Sequence, residues 1–165
     1  MKTKVIIIIL ILSSLSGFTQ TKSKKTLSQT FKSESTANNV TYFEVTKKMF
    51  ESLTKAYSEE PKVKEYISKL HNIKMLQPAG EKRNEKGKIL YSNFIRYTNL
   101  DDFTLLMTNN NEKSKMSFLK KEGKVKNEFL LVSTDMVMYV SGTLDIGSLT
   151  ELEGIIEMAG EAVGL

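Results

Sequence analysis

Cysteine and tryptophan are absent from this chain of 165 residues, and histidine occurs once. Without cysteine there is no disulfide framework, no thiolate nucleophile and no Cys-based metal or iron–sulfur site. A single histidine excludes any site that needs two. With only 2 Pro and 9 Gly, the collagen-like and Pro/Gly-rich disordered classes are excluded as well. The length and a hydrophobic content of 40% fit one globular domain with its own core.

The long apolar run of the chain lies at the N-terminus. It covers Val5–Leu12, follows the basic start Met1–Lys4 and precedes small and polar residues. This order is typical of a secretory signal peptide, and the run is shorter than the roughly 20 apolar residues of a membrane span. We predict a signal peptide over residues 1–19, cut between Thr19 and Gln20. The alternative is an uncleaved anchor.

Export of the chain would limit the molecules that the mature protein can bind. No cysteine follows the apolar run, so lipoprotein-type acylation is excluded, and we expect the mature chain to be periplasmic or secreted, without a membrane span. That compartment supplies no ATP or NAD. Removing Lys2 and Lys4 with the signal lowers the formal charge from +5 to about +3, which is an ordinary solubility charge and does not indicate nucleic-acid binding.

The mature chain divides into a polar stretch and one domain. Residues 20–39 are polar except for the apolar Leu27 and Phe31. A segment of this composition buries too little apolar surface to offset the entropy of ordering, so we predict a flexible linker. The folded domain is predicted over residues 40–160.

Hydrophobic spacing predicts strands and helices in the first half of the domain. Residues 40–45 are β-branched and aromatic, as in a strand. Two apolar stripes, Met49–Tyr57 and Val63–Leu70, follow helical spacing, and the second begins just after Pro61, a favourable first-turn residue. The other predictions here are a short strand over 73–76, a charged loop over 82–88, and a helix over 90–98 for which a strand is the alternative.

The second half of the domain changes to a period of two. Four short strands separated by turn residues predict an antiparallel meander over 103–108, 116–118, 128–133 and 137–144. A final helix follows, where Ser148 and Glu151 have the spacing of a capping box. The fold class predicted is α+β, a two-layer domain with helices packed on one face of a mostly antiparallel sheet, a C-terminal meander and a final helix.

Four residues are low-ranking candidates for a functional role: His71, Asp101, Asp102 and Asp145. His71 is the one side chain with an unperturbed pKa near neutrality, but a lone histidine at a helix end is commonly a cap or a surface residue. A glycosidase needs two carboxylates across a cleft, whereas turn chemistry accounts for Asp101 and Asp102 without catalysis. We therefore predict no catalytic residue.

Motifs for cofactors and metals are missing from the sequence. There is no H-E-x-x-H, no EF-hand spacing, no G-x-G-x-x-G and no Walker pattern, so we expect no cofactor and no metal site. The aromatic residues do not alternate with basic ones as in a single-strand-binding surface. We therefore expect no nucleic-acid partner.

Four stretches of the chain resemble a known family. They are Tyr42–Phe50, a strand leading into a helix start of the type S/T-K-x-M; Ile67–Leu76, similar to l-x-k-l-d-s-i-x-i-L; and Lys126–Val132 with Val140–Ile146, similar to a terminal strand pair ending in G-x-i-d-l. The chain resembles the domain-of-unknown-function family 4252, small exported proteins typical of Bacteroidetes-type bacteria. This resemblance implies an envelope location and supplies no activity, cofactor or catalytic residue. His71 stands where the family usually has an acid.

The leading hypothesis is a soluble, non-catalytic envelope module that binds a protein or a surface ligand through its sheet. Thr104, Ser117 and Ser141 are then expected on the outward face of the meander. The sequence leaves the identity of the partner and the oligomeric state open.

Two alternatives remain. The first is a cofactor-independent hydrolase of envelope glycans or peptides that uses carboxylates near Asp101, Asp102 or Asp145. The second is a carrier of small ligands, with an apolar cavity between helices and sheet. Such a cavity would be lined by residues such as Phe50, Leu53, Phe118 and Met138.

Overall fold

The computed structural model describes residues 23–37, 39–56, 61–111 and 114–147. In this part of the chain the helices are α1 (Leu27–Ser35), α2 (Lys47–Ala56), α3 (Pro61–Lys69) and α4 (Arg83–Tyr97). The strands are β1 (Val40–Thr46), β2 (Leu70–Pro78), β3 (Thr104–Asn110), β4 (Lys115–Lys121), β5 (Asn127–Ser133) and β6 (Val137–Gly142).

The strands form one six-stranded sheet in the order β1-β2-β6-β5-β4-β3. Every pair of neighbouring strands is antiparallel. Strands β3 to β6 are joined in sequence order, so the predicted C-terminal meander is confirmed, and its last strand lies beside β2. Together with the helices, the sheet confirms the α+β class.

Successive side chains along the strands pack alternately into two separate hydrophobic cores. In β6, Val140 belongs to one core and Tyr139 to the other, and in β5 Phe129 and Leu130 divide in the same way. Because successive side chains of a strand point to opposite faces, the two cores lie on opposite faces of the sheet. Helices therefore cover both faces of the sheet, whereas the sequence predicted helices on one face.

The first of these surfaces, the α2–α3 face, is apolar. Phe50 of α2 and Ile67 of α3 are buried against Val45, Ile73 and Val140 of the sheet. Phe50 and Leu53 of the first predicted stripe thus face this core, as does the stripe after Pro61. Met49 is 43% exposed, and Tyr57 lies outside the described residues. On the opposite surface, the α1–α4 face, Phe31 of α1 and Leu90 and Phe94 of α4 are buried against the sheet.

Helix α1 corrects the prediction of a flexible linker over residues 20–39. Thr26 and Gln29 form a capping box in which each side chain accepts from the other residue's backbone N–H, at 3.3 and 2.9 Å. Phe31 is 1% exposed and meets the ring of Phe94 edge-on, with the centroids 5.1 Å apart. Although the segment is polar, it contains one apolar residue, Phe31, and one helix cap, Thr26 with Gln29. These stabilise the helix because α4 and the sheet supply the surface on which Phe31 packs.

Helix α4 corrects the charged loop predicted over 82–88, since it begins at Arg83, and it also excludes the strand alternative for 90–98. Gly87 is buried in this helix, and a Cβ on it would stand 1.7 Å from the carbonyl oxygen of Thr134. The helix therefore approaches the β5–β6 turn more closely than any other residue would permit. Sequence spacing missed this first turn because it consists of charged and polar residues, Arg83 to Lys86.

The predicted signal peptide, its cleavage site at Thr19 and Gln20, and the final helix from Ser148 lie outside the described residues. Among the described helices, none is both long and apolar enough to span a bilayer.

Candidate functional site

A cleft of about 390 Å³ opens on the α1–α4 face, beneath the first turns of α1. We call it the α1 cleft. Its floor consists of strands β2, β6 and β5, and α1 forms one wall. The lining residues are Thr26, Leu27, Ser28, Phe31, Asn72, Lys74, Lys126, Glu128, Tyr139 and Ser141.

Strand register brings the polar residues of the floor together. One row across the sheet runs Glu44–Lys74–Tyr139, on β1, β2 and β6. The next row runs Asn72–Ser141–Glu128, on β2, β6 and β5. These residues lie on the same face as the buried apolar side chains of the second core, so the site is a polar area within an otherwise apolar surface.

Glu44 is the centre of the first polar group. Its carboxylate accepts from the Tyr42 hydroxyl at 2.6 Å and from Asn72 Nδ2 at 3.1 Å, and Lys74 Nζ lies 3.3 Å away. Burial is the largest single influence and would raise the pKa of Glu44. The hydrogen bonds from Tyr42 and Asn72 and the charge of Lys74 outweigh it, so the net pKa is lowered. Glu44 is therefore ionised at neutral pH.

Glu128 is the centre of the second group. Tyr139 donates its hydroxyl to Glu128 Oε2 at 2.9 Å, and Lys126 Nζ lies 3.8 Å from Oε1. The pKa of Tyr139 is raised, chiefly because burial disfavours the phenolate, and the negative charge of Glu128 acts in the same direction. Tyr139 thus remains a neutral hydrogen-bond donor.

One acceptor in the cleft lacks a partner. Asn72 donates through Nδ2 to Glu44, but its Oδ1 is buried and has no hydrogen-bond partner among the described residues. Buried polar atoms are nearly always paired, and an unpaired one costs about 1–3 kcal/mol. An atom of this kind in the wall of a cleft is suited to a hydrogen-bond donor that arrives with a ligand.

The side chains of the cleft offer both hydrogen-bond donors and hydrogen-bond acceptors. Lysine ammonium groups and tyrosine hydroxyls provide donors, whereas the carboxylates and Asn72 Oδ1 provide acceptors. The acid of a glycosidase needs a raised pKa, and the lowered pKa of Glu44 is the opposite. Within the described residues there is also no group of three His, Cys, Asp or Glu side chains that could hold a metal ion.

The sequence candidates do not form this site. His71 lies on β2 where the pairing with β6 shifts between Leu70 and Asn72. Asp101 and Asp102 form the turn before β3, and their carboxylates pair with Lys24 at 3.4 Å and Lys121 at 2.8 Å. The turn interpretation accounts for both aspartates.

Strand order also separates these candidates. Four inter-strand steps lie between β2, which holds His71, and β3, which Asp102 precedes. At about 4.8 Å a step this is roughly 19 Å. Asp145 is exposed and follows β6, three steps from β3, or roughly 14 Å. Asp101 and Asp102 are therefore not assembled into one cleft with His71 or Asp145, whereas β2, which holds His71, and β6, which Asp145 follows, are neighbours in the sheet.

The residues expected to line an apolar cavity are part of the first core. Phe50 is a buried member, and Leu53, Phe118 and Met138 pack against it while partly buried. Phe50 also borders a cleft of about 420 Å³ between α2 and α3. Of the positions expected on an outward sheet face, Thr104 is exposed, but Ser117 and Ser141 are 7% and 1% exposed, because helices cover both faces.

Sequence analysis missed the residues of the α1 cleft. A signal was present beside the cleft in β1, where Tyr42 and Glu44 alternate with Phe43 and Val45 and Glu44 accepts a hydrogen bond from the lining residue Asn72. Alternation of this kind ordinarily indicates a strand whose polar side chains face solvent. The signal that α1 covers this surface was the Thr26-x-x-Gln29 capping box.

These features define a class of protein, a single α+β domain whose antiparallel sheet carries a polar cleft on one covered face. Comparison with known families then identifies it further. The family model described as Domain of unknown function (DUF4252) matches residues 18–157, and the chain belongs to this family. No curated protein and no solved structure matches the chain.

Proposed function

We propose that this protein is an exported, non-catalytic binding module that takes a small polar ligand into the α1 cleft. The observation that carries the proposal is the unpaired, buried Oδ1 of Asn72, a residue that lines the cleft. A cleft of about 390 Å³ is within the usual size range for small-molecule sites, about 300–1,000 Å³.

The lining indicates the chemistry of the ligand. Asn72 Oδ1 requires a donor such as a hydroxyl or an amide N–H, and Lys74 and Lys126 favour an anionic group nearby. Glu128 in the lining and Glu44, which contacts Lys74 and Asn72 from β1, balance those lysines, so strong net charge on the ligand is not favoured. Fragments of envelope glycans and short peptides, which carry several hydroxyl or amide groups, meet these requirements.

Export is the second part of the proposal. The basic start, the short apolar run and the small residues that follow support a signal peptide. N-terminal sequencing of the chain recovered from an exporting cell is expected to begin at Gln20. Recovery of the chain from the membrane fraction with Met1 retained would contradict export as a mature protein.

Ligand binding can be measured by thermal unfolding with a panel of envelope-derived saccharides, amino acids and short peptides. A ligand that binds the folded state raises the melting temperature in proportion to RT ln(1 + [L]/Kd). We expect at least one member of the panel to stabilise the protein and Asn72→Leu to abolish the shift.

A matched control is available on the same strand. Gln77→Leu also replaces an amide side chain with leucine. Gln77, however, pairs with Thr41 in a row on the opposite face of the sheet. It should leave ligand binding intact. A panel without any stabilising member, or a ligand that still stabilises Asn72→Leu, would contradict the α1 cleft as the binding site. Photo-crosslinkers placed at the exposed Ser28 would give the same information in cells.

A further inference from the structure

A second groove lies between α1 and α4, and its volume is about 1060 Å³. It opens to solvent on the side of α1 that faces away from the sheet, where Gln29 and Lys32 are exposed. We call it the lysine groove, because Lys24, Lys25 and Lys32 contribute to its lining. It has no lining residue in common with the α1 cleft, so the two sites are independent.

Backbone and buried hydrogen bonds fix the two walls of the groove relative to each other. The N–H of Lys25 donates to the carbonyl oxygen of Tyr97 at 2.7 Å, and the N–H of Asn99 donates to the carbonyl oxygen of Lys25 at 2.7 Å. The buried Thr98 hydroxyl donates to the buried Thr30 hydroxyl at 3.1 Å. Because the groove is formed in the absence of a ligand, little backbone ordering opposes binding.

Positive charge predominates in the lysine groove, whose described lining holds three lysines and one acidic residue, Glu34. The ammonium of Lys24 lies 3.4 Å from Asp101, whereas Lys25 Nζ donates to a neutral serine hydroxyl at 3.0 Å. Among the described residues, no carboxylate lies within 4.0 Å of the ammonium groups of Lys25 or Lys32. These two lysines can therefore form charge-assisted hydrogen bonds with an anion that enters the groove.

The uncharged part of the lining suits a sugar. Tyr97 exposes 39% of its surface, and its flat ring offers an apolar surface on which the C–H face of a sugar ring can pack. The amides of Gln29 and Asn93 and the hydroxyl of Thr36 can form hydrogen bonds with sugar hydroxyl groups. The guanidinium carbon of Arg96 lies 5.9 Å from the centroid of the Tyr97 ring, which adds positive charge at the same end of the groove.

We propose that the lysine groove binds an acidic polysaccharide, a chain of sugars that carry carboxylate groups. The carboxylates pair with Lys25 and Lys32, while one sugar ring packs on Tyr97. Helix α1 has 9 residues and is therefore about 14 Å long, so the groove takes a few consecutive sugars of an extended chain.

An anionic membrane surface fits the lining less well. Protein surfaces that bind a bilayer insert apolar side chains beside the basic ones, whereas the described lining of the lysine groove contains no aliphatic side chain and no phenylalanine. The lysines also line a concave groove between two helices, which an extended chain can enter and a flat bilayer cannot.

Isothermal titration calorimetry of the full chain with oligogalacturonate tests the proposal. Oligogalacturonate is an unbranched chain of sugars that each carry one carboxylate, and its methyl ester has the same rings without the charge. We expect the acid form to bind with a Kd that rises as salt is added. The Kd of the methyl ester should be about tenfold higher or more.

Two double variants separate the groove from the general positive charge of the protein. Lys25→Gln combined with Lys32→Gln should raise the Kd for oligogalacturonate about tenfold or more. Lys62→Gln combined with Lys64→Gln removes the same charge from α3, on the opposite face of the sheet, and should change the Kd by less than about twofold. Because all four lysines are exposed, both double variants should keep the melting temperature of the natural chain.

A variant of Tyr97 tests the recognition of sugar rings. Tyr97→Leu keeps an apolar side chain but removes the flat ring, and it should raise the Kd for oligogalacturonate about threefold. Polyglutamate, which carries carboxylates but no sugar rings, should bind more weakly than oligogalacturonate, and Tyr97→Leu should leave its Kd unchanged.

Four results would overturn the proposal. The first is no binding of oligogalacturonate at low salt. The second is an equal rise of the Kd in both lysine double variants, which would assign the binding to general surface charge. The third is polyglutamate that binds as tightly as oligogalacturonate, which would assign the groove to polyanions in general. The fourth is tighter binding to vesicles that contain anionic lipid, lost in the Lys25 and Lys32 double variant, which would assign the groove to a membrane surface.

Discussion

The α1–α4 face of the sheet has two unlike halves. Beneath α4, the strands contribute four fully buried side chains, Leu76, Leu130, Val132 and Val137. Beneath α1, the neighbouring rows contribute Asn72, Lys74, Glu128 and Ser141, which line a cleft. Burying apolar side chains stabilises the fold, whereas burying polar groups costs free energy unless all of them are paired. The first half therefore maintains the structure, and the second has the features of a binding surface.

The largest expected effect tests the apolar half. Phe94→Ala removes a fully buried ring that contacts Phe31 at a centroid distance of 5.1 Å. We expect the free energy of unfolding to fall by about 3–5 kcal/mol, measured by urea denaturation. Ile95→Ala, at the adjacent and partly exposed position of α4, should cost less than about 1 kcal/mol. A loss for Phe94→Ala equal to that of the control would contradict the assignment of this half as the stabilising one.

The next effect concerns how closely α4 approaches the sheet. Alanine is the better helix former by about 1 kcal/mol, but a Cβ at Gly87 would stand 1.7 Å from the carbonyl oxygen of Thr134. We expect Gly87→Ala to destabilise the protein by about 1–3 kcal/mol in thermal or urea unfolding. Ser92→Ala, on the exposed side of the same helix, should be neutral or slightly stabilising. A stabilised Gly87→Ala protein would show that α4 lies farther from β5 and β6.

A smaller effect on stability is expected in the polar half. Asn72→Leu removes the unpaired Oδ1 but also the hydrogen bond to Glu44, so the free energy of unfolding should change by less than about 1 kcal/mol. The reverse substitution, Leu76→Asn, lies on the same strand and face and should cost about 3 kcal/mol or more. Similar losses for the two variants would remove the contrast between the halves.

The smallest expected effect is a pH dependence. The pKa of Glu44 is lowered from its ordinary 4.5 in the folded state, so its stabilisation is present above about pH 4.5 and is lost as the pH falls through the folded pKa. Glu44→Gln should be less stable than the natural chain at pH 7, and the difference should shrink as the pH falls below about 4.5 towards the lowered pKa of Glu44. Urea denaturation at pH 7, 5 and 3 would measure it.

An exposed ion pair supplies the control for that prediction. Glu122 is joined to Lys120 at 2.7 Å, and its side chain is 78% exposed. Hydrogen bonding and the charge of Lys120 lower the pKa of Glu122 too, but solvent screens such pairs. Glu122→Gln should therefore show a weaker pH dependence than Glu44→Gln. A Glu44→Gln difference that is no smaller at the lowest pH at which the protein stays folded than at pH 7 would contradict the ionisation argument.

Local sequence patterns predicted much of the fold. The alternation in β3 to β6 and the turn residues between them predicted the meander, and the stripe after Pro61 predicted α3 with its buried Tyr66 and Ile67. The prediction failed at α1, where a single buried Phe31 in a polar segment gave no periodic stripe. Its stability depends on contacts with Phe94 and Tyr139, which are distant in sequence.

The amino-acid sequence by itself determined the α+β class, the meander and the exclusion of cysteine chemistry, because these follow from composition and from periods of two and 3.6 residues. It also determined the family, through the match over residues 18–157. Only the tertiary structure decided that helices cover both faces and that Asn72, Lys74, Glu128 and Tyr139 meet in one cleft. Strand β6 lies between β2 and β5 in the sheet, although 48 residues separate β2 from β5 and 58 residues separate β2 from β6 in the chain. Register and strand order, which no local pattern encodes, place these side chains on one surface.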